Sequence, residues 1–185
     1  GLLAEGSKRL LAEVGLKVYN PNPRQYIAQI PSLPGVEVIF QRPGDIVTSV
    51  RDGSVDFGVT GRDIYLEKKD SNGKILELHS QLGFGKCSLN VILPESYDQI
   101  NELADLPELQ AELGRPLKVG TKFPKLTSDF FKSKTDLEFV VIQAEGALEI
   151  APTVGYADVI VDLVSTGTTL RDNRLKILAG GQLIQ

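Results

Sequence analysis

The organisation of the chain is clearest in the segment VIVDLVSTGTTL, residues 159–170. Its first half is rich in β-branched and apolar side chains and predicts a buried strand over 158–164. The strand runs into STGTTL, where hydroxyl side chains surround a glycine. This composition predicts a tight turn and then the start of a helix. A strand, a turn and a helix in this order are typical of an α/β protein.

The hydroxyl-rich turn is a candidate phosphate site. Its hydroxyls belong to Ser165, Thr166, Thr168 and Thr169. Together with several backbone N–H groups they would point to one place, where a phosphate monoester would be held. Gly167 would let the backbone approach the anion closely. Serine and threonine also cap helices very often, so turn chemistry alone is equally consistent with a purely structural helix start.

Asp162 lies inside the apolar strand that precedes the turn. An unpaired carboxylate is costly to bury, so this side chain needs a partner or must emerge at the edge of the sheet. Beside a phosphate loop, a carboxylate could accept hydrogen bonds from ribose hydroxyls or hold a magnesium ion. The alternative is a structural salt bridge, because buried charges are often simply paired.

The rest of the chain repeats the plan of strand, turn and helix. In the first half we predict a helix ending near Gly15, β-like runs at 26–30 and 36–40, a helix at 45–51 and a strand at 55–61. In the second half we predict extended runs at 87–93, 118–121 and 138–142, and helices at 126–132 and 146–154. We therefore predict two α/β lobes around a ligand cleft. The first lobe comprises 1–86 plus 177–185, and the second comprises 87–176.

Composition excludes several other classes of protein. The 185 residues are 42% hydrophobic, enough to bury a core, and the net charge of -4 gives no general attraction for nucleic acid. No apolar run approaches the roughly 20 residues that span a bilayer, so we expect a cytoplasmic protein without a membrane segment. Cys87 and His79 are the only residues of their kinds, which excludes an internal disulfide and a Cys/His metal cluster. We expect no metal bound by protein side chains and no catalytic role for either residue.

Several segments closely resemble the ATP phosphoribosyltransferase family. The longest similarity runs from Glu-Gly-Ala-Leu-Glu at 145–149 through 151–158 to 162–170. Shorter similarities occur in the same order and spacing at 24–26, 42–46 and 56–63, so the resemblance covers essentially the whole chain. It implies an α/β fold of two lobes with mixed, largely parallel sheets, similar to type II periplasmic binding proteins. The active site would lie in the cleft.

The resemblance also implies a reaction. Members of the family are pentosyltransferases that join ATP to 5-phosphoribosyl 1-pyrophosphate in the first step of histidine biosynthesis. The catalytic residues implied here are Asp162 and Glu149. The residues implied for phosphoribosyl pyrophosphate are Asp158, Asp162, Ser165, Thr166, Gly167, Thr168 and Thr169. Those implied for ATP are Arg24, Arg42, Asp45, Gly61, Arg62 and Asp63.

One position departs from the common phosphoribosyltransferases, which have two adjacent acids before a similar loop. Leu163 replaces the second acid here. We therefore expect the ribose contacts of Asp162 to be shared with Glu149 or Asp158, and membership of another phosphoribosyltransferase family is disfavoured. A different alternative is a non-catalytic, two-lobed small-molecule binding protein, because such a fold can trap a solute without changing it.

Cofactor and partners follow from the same resemblance. We expect Mg²⁺ to be carried with the substrates, and a regulatory subunit resembling histidyl-tRNA synthetase to bind a homodimer of the chain within a hetero-oligomer. The family pattern places a first strand and a Lys-Gly turn before residue 1. The short form of the family has no regulatory domain after the equivalent of residue 185, and we expect this chain to be of that form.

Overall fold

The computed structural model describes residues 2–70 and 73–185. The chain divides into two compact units, Gly1–Gly85 and Lys86–Gln185. Within the described residues, no helix combines the length and apolar character needed to cross a membrane.

The first unit combines short helices with a small sheet. Its helices are α1 (Leu2–Glu13), α2 (Pro43–Arg51) and α3 (Arg62–Lys68). Its strands are β1 (Ile27–Gln29) and β2 (Glu37–Ile39), which pair antiparallel with Ile27 opposite Ile39. The predicted first helix and the two predicted β-like runs are thereby confirmed.

The strand predicted at 55–61 does not form, and with it the expected parallel pairing in the first half is wrong. The segment is held to α2 by side chains instead of by a backbone ladder. Gly58 lies directly against the Ile46 side chain, and the Thr60 hydroxyl donates to the Pro43 carbonyl over 3.1 Å. Phe57 remains 75% exposed. Apolar alternation predicts a strand only where a neighbouring strand is available to pair with it.

The second unit is built on a mixed five-stranded sheet in the order β5-β4-β6-β3-β7. The strands are β3 (Ser88–Pro94), β4 (Leu117–Thr121), β5 (Phe139–Gln143), β6 (Val159–Val164) and β7 (Leu175–Ile184). The helices are α4 (Leu106–Leu113), α5 (Pro124–Lys134) and α6 (Thr168–Asp172), with single 3₁₀ turns at Leu103–Asp105 and Leu148–Ile150. β4 pairs parallel with β5 and β6, whereas β3 pairs antiparallel with β6 and β7.

Strand β6 occupies the middle of this sheet because its side chains are apolar on both faces. Val159, Ile160 and Val161 are completely buried, as expected for a strand covered on two sides. Ile160 packs in a cluster with Ile92 and Leu148. The sequence-based prediction of an α/β fold with a mixed sheet is confirmed. The parallel strands of this sheet are β4, β5 and β6.

The last strand lies in the second unit, whereas the predicted lobe boundaries assigned 177–185 to the first lobe. Residues 177–184 belong to β7, which pairs with β3 so that Ile177 lies opposite Ile92 and Gln182 opposite Asn90. Leu178 is buried in the second unit. Edge pairing and burial of apolar side chains therefore keep the segment with the second unit.

The helix predicted at 146–154 is reduced to the single 3₁₀ turn Leu148–Ile150 followed by further turns. Ala147 precedes it with a φ of 49°, a left-handed conformation that a regular helix does not tolerate. Pro152 lacks a backbone N–H and cannot continue an α-helical ladder. The consequence is a compact loop that presents Glu149.

Candidate active site

The candidate site lies where parallel strands end. β4 and β6 run side by side, with Thr121 opposite Val161, and their carboxyl ends meet at the same edge of the sheet. Ligands of open α/β sheets bind at this kind of edge. A concavity of about 90 Å³ opens there. It is lined by Ile92, Glu149, Ile160, Asp162, Leu163, Val164, Ser165, Thr166, Gly167, Thr169 and Leu170.

The loop after β6 has the geometry that its glycine suggested. Gly167 adopts φ 72° and ψ 6° and forms the N-cap of α6. A β-carbon added to it would meet only Arg171 Nη1, at 3.9 Å, so the space over this residue is open. The hydroxyls of Thr166 and Thr168 lie 3.2 Å apart. The loop therefore places two hydroxyls beside a bare stretch of backbone.

Asp162 is half-buried at the end of β6. One carboxylate oxygen accepts a hydrogen bond from its neighbour's backbone, Leu163 N–H, over 2.8 Å. Within the described residues it forms no ion pair, so the predicted alternative of a structural salt bridge does not apply. Burial raises the pKa of Asp162 above its ordinary value, the Leu163 N–H and Lys122 act against this, and Glu149 adds to it. An unpaired, half-buried carboxylate at a concavity is a typical functional group.

Glu149 joins Asp162 at the same concavity, although the two residues lie on different elements. The 3₁₀ turn Leu148–Ile150 is anchored by Leu148, which is buried in the core cluster. The next residue, Glu149, lines the concavity with Asp162 and the hydroxyl loop. The structure thus brings together both predicted catalytic carboxylates and most of the predicted phosphate loop.

Asp158 lies at the other end of β6. Its two oxygens accept hydrogen bonds from Arg115 Nη1 and Nη2, both over 2.8 Å, and from the backbone N–H of Lys118. At about 3.3 Å per residue, a strand carries it roughly 20 Å from the loop that follows Val164. Asp158 is therefore a structural anchor, and the predicted contact with phosphoribosyl pyrophosphate does not fit its position.

The Asp158 pair makes a testable contribution to stability. Burial alone would raise the pKa of Asp158, but Arg115 and the Lys118 N–H outweigh it, so the pKa lies below its ordinary value. We expect Asp158→Asn to lower the free energy of unfolding near neutral pH by about 1–2 kcal/mol, because Arg115 is partly exposed and screened.

The pH dependence of that effect has a definite sign. A depressed folded pKa contributes stability above the unfolded value of about 3.9, and this contribution is lost as pH falls through the folded pKa. Denaturant unfolding of both proteins between pH 7 and pH 3 should therefore show the difference shrinking in acid. A constant difference across this range would mean that the Asp158 charge is not its source.

The residues predicted for ATP belong to the first unit. Arg42 is the N-cap of α2, without a side-chain cap hydrogen bond. Asp45 lies in the first turn of α2, where its negative charge interacts favourably with the helix dipole. The helix begins two residues before the predicted start at 45, so Asp45 lies inside it. The Thr60–Pro43 hydrogen bond brings the start of α2 near the start of α3, where Gly61 is the N-cap.

The start of α3 carries the other predicted residues. Burial raises the pKa of Asp63, against the lowering effect of the backbone N–H groups of Ile64 and of Asp63 itself. Arg62 Nε donates to Glu77 over 3.0 Å, and both line an open concavity together with Leu78, His79 and Ser80. Arg24 is exposed in a turn, where its backbone N–H donates to Asn22.

Two cations near the carboxyl edge were missed by sequence reasoning. Lys122 directly follows β4, in a turn fixed by the buried Thr121 hydroxyl, which accepts from Phe123 N–H and donates to Val161. Arg171 Nη2 donates to the Thr168 hydroxyl over 3.3 Å. Arg171 could have been found from sequence, because i and i+3 residues share one helix face. Lys122 could not, because only strand pairing places it beside Asp162.

No group of three or more His, Cys, Asp or Glu side chains within residues 2–70 and 73–185 could hold a metal ion. The concavity itself is lined by two carboxylates, Glu149 and Asp162. These two can orient hydroxyls or assist an ion that is already bound to diphosphate.

A family model described as ATP phosphoribosyltransferase (HisG) matches residues 42–184. The chain is 43% identical over 190 residues to ATP phosphoribosyltransferase 2, chloroplastic, of Arabidopsis thaliana, with all of this chain and 46% of that protein covered. It is 36% identical over 191 residues to ATP phosphoribosyltransferase of Mesorhizobium japonicum (strain LMG 29417 / CECT 9101 / MAFF 303099), with all of this chain and 82% of that protein covered. The chain thus spans about half the length of the Arabidopsis relative.

Among solved structures, the chain is similar to an ATP phosphoribosyl transferase (HisG:HisZ) complex from Thermotoga maritima. The TM-score is 0.71 over all of this chain and 79% of the other, at 24% sequence identity. This likeness supports the fold.

Proposed function

This chain belongs to the ATP phosphoribosyltransferase family, and from that premise we propose that it joins ATP to 5-phosphoribosyl 1-pyrophosphate, giving N1-(5-phosphoribosyl)-ATP and pyrophosphate. This would be the first step of histidine biosynthesis. The observation that carries the proposal is the meeting of the hydroxyl loop at 165–169 with two carboxylates, Asp162 and Glu149, at one concavity.

In this proposal the loop binds the 5-phosphate. The hydroxyls of Ser165, Thr166, Thr168 and Thr169 and the backbone around Gly167 supply hydrogen-bond donors. The left-handed Gly167 leaves open space for a phosphate oxygen to approach the main chain. Several donors converging on one anion give both affinity and orientation.

The two carboxylates act on the ribose. Asp162 and Glu149 accept hydrogen bonds from its hydroxyls and offset positive charge that develops at C1 as the C1–pyrophosphate bond breaks. The adenine N1 lone pair forms the new bond to C1, and pyrophosphate leaves with the electron pair of the broken bond. No proton has to be removed from N1, so positioning and charge stabilisation carry the catalysis.

The nucleotide side is assigned to the first unit on the family pattern. We infer that Arg24, Arg42, Asp45, Gly61, Arg62 and Asp63 contribute to ATP binding. Arginine suits phosphate oxygens because its planar fork donates two parallel hydrogen bonds. The family requires a divalent metal ion. We infer that here it is Mg²⁺, carried by the phosphates of the substrates and neutralising the departing pyrophosphate.

The direct test mixes the chain with ATP, phosphoribosyl pyrophosphate and Mg²⁺ and follows phosphoribosyl-ATP formation. We expect product that depends on all three components. The competing hypothesis is a two-lobed binding protein without catalysis. Saturable binding of both substrates with no product, with or without a regulatory partner, would favour that alternative and contradict our proposal.

We further infer that regulation comes from a separate subunit resembling histidyl-tRNA synthetase, with a homodimer of this chain inside a hetero-oligomer. The similar Thermotoga maritima structure is a HisG:HisZ complex. Histidine can change activity only by binding two states of the enzyme with different affinity. We expect this chain alone to be weakly active and insensitive to histidine.

The regulatory proposal is tested by titrating histidine against product formation with and without the partner. Added partner should raise the rate and introduce feedback inhibition. Strong inhibition of the chain by itself would place the histidine site within this chain and contradict the assignment.

A further inference from the structure

Arg171 is a charged residue beside the hydroxyl loop to which the proposed function gives no role. It lies in α6, one turn after the loop, and its side chain folds back toward it. Nη2 donates to the Thr168 hydroxyl over 3.3 Å, and Nη1 lies 3.9 Å from the position that a β-carbon on Gly167 would occupy. The guanidinium therefore borders the open space over Gly167.

The charges around the loop favour a cation beside it when an anionic ligand binds. Residues 165–170 carry no charged side chain, and the concavity is lined by the carboxylates of Asp162 and Glu149. A phosphate dianion held only by hydroxyls and N–H groups would be repelled by both carboxylates. Within the described residues Arg171 forms no ion pair, so its positive charge is not already neutralised by an acid.

The hydrogen bond from Arg171 also orients the loop hydroxyls. The Thr168 oxygen accepts from the guanidinium, which turns the Thr168 proton away from Arg171. The Thr166 hydroxyl lies 3.2 Å away and belongs to the same chain of contacts. One of these two hydroxyls donates to the other, so the pair keeps one hydroxyl proton for a ligand, next to the guanidinium.

Resting on the function proposed above, we propose that Arg171 is a binding residue for the 5-phosphate of phosphoribosyl pyrophosphate and recognises this end of the substrate rather than its diphosphate. A guanidinium can donate two parallel hydrogen bonds to phosphate oxygens. One donor already contacts Thr168, and the guanidinium retains others for the ligand.

The test compares Arg171→Gln, Arg171→Lys and a matched control, Arg174→Gln. Arg174 is an exposed arginine three residues further on, and its backbone N–H and carbonyl form hydrogen bonds with Arg171 and Glu95. Three probes are titrated calorimetrically into each protein: phosphoribosyl pyrophosphate, ribose 5-phosphate and inorganic pyrophosphate. Product formation is measured in parallel to separate KM from kcat.

We expect Arg171→Gln to weaken phosphoribosyl pyrophosphate and ribose 5-phosphate by about tenfold each, with pyrophosphate affinity unchanged. KM for phosphoribosyl pyrophosphate should rise by the same factor while KM for ATP stays constant. Arg171→Lys should recover part of the loss, because charge is kept and the fork is lost. Arg174→Gln should match the wild type.

Different failures have different meanings. If the wild type binds both phosphoribosyl ligands and Arg171→Gln binds them equally well, the role of Arg171 is wrong and the proposed function stands. An equal loss of affinity in Arg174→Gln would mean that general surface charge causes the effect, and it would also overturn the role of Arg171. If the wild type binds neither phosphoribosyl ligand, both the role and the proposed function are wrong.

Discussion

Replacing Asp162 with asparagine is expected to lower turnover by about ten- to a hundredfold while leaving ATP affinity nearly unchanged. The carboxylate lies beside the phosphate loop and is assigned to the ribose, where a charge-assisted contact contributes about 1.5–3 kcal/mol. Asparagine keeps the shape of the side chain and can still accept from Leu163 N–H, so the change isolates the charge.

The free energy of unfolding of Asp162→Asn, unlike its turnover, should not fall. The folded pKa of Asp162 is raised, chiefly by burial, so its ionised form costs folding free energy at pH values above the unfolded pKa of about 3.9. Asp162→Asn removes this cost, and its free energy of unfolding near neutral pH should equal or exceed that of the wild type. Loss of activity with retained or increased stability is typical of a functional charge.

The pH dependence of turnover is a second test of the role of the Asp162 carboxylate. Turnover that requires ionised Asp162 should decline on the acid side at a pH above the ordinary aspartate pKa, because burial and Glu149 outweigh Lys122 and the Leu163 N–H. The acid limb should be absent from the residual activity of Asp162→Asn. An identical limb in both proteins would assign the titration to another group.

Asp158→Asn is the matched control for these measurements. It makes the same chemical change at the residue that directly precedes β6, at the opposite end of the strand from the loop. We expect it to lose stability but to keep kcat and both KM values when assayed folded. A calorimetric titration with ATP completes the comparison. If Asp162→Asn loses ATP affinity but turns over bound substrates normally, Asp162 contacts the other substrate.

Gly167→Ala is expected to weaken phosphoribosyl pyrophosphate binding by about ten- to a hundredfold. The added methyl group would enter the open space over the loop, in which the 5-phosphate is proposed to lie. It would also strain the left-handed backbone at φ 72°, at a cost of about 1–2 kcal/mol in folding. The nearest protein atom, at 3.9 Å, leaves the methyl group without a clash.

Gly114→Ala is a control that separates the loss of ligand affinity from the loss of folding stability. Gly114 ends α4 with φ 63°, and a β-carbon there would meet no atom within 4 Å. Both variants should therefore show a similar loss of unfolding free energy, measured with denaturant. Only Gly167→Ala should lose affinity in a titration with phosphoribosyl pyrophosphate. Wild-type affinity in Gly167→Ala, or an equal loss in Gly114→Ala, would remove the loop from the proposed site.

Much of the candidate site was predictable because its chemistry is local. The strand, the hydroxyl turn and the left-handed glycine lie in twelve consecutive residues at 159–170. Apolar β-branched residues favour a buried strand, and a glycine between hydroxyl residues favours a sharp turn before a helix. The turn and the helix start depend on local preferences alone, and β6 also found neighbours to pair with in β3 and β4. The strand, turn and helix were therefore correctly predicted along with the α/β class.

The tertiary structure decided what depends on distant partners. Asp158 directly precedes β6 and Asp162 lies on it. Parallel pairing with β4 places Asp158 beside Arg115, 43 residues away in sequence, and Asp162 at the ligand edge. Glu149 reaches that edge because a 3₁₀ turn replaces the predicted helix. The segment 55–61 found no strand to pair with, whereas β7 paired with β3. A strand and a buried charge are each stabilised by groups that the local sequence does not contain, so only the folded chain assigns them.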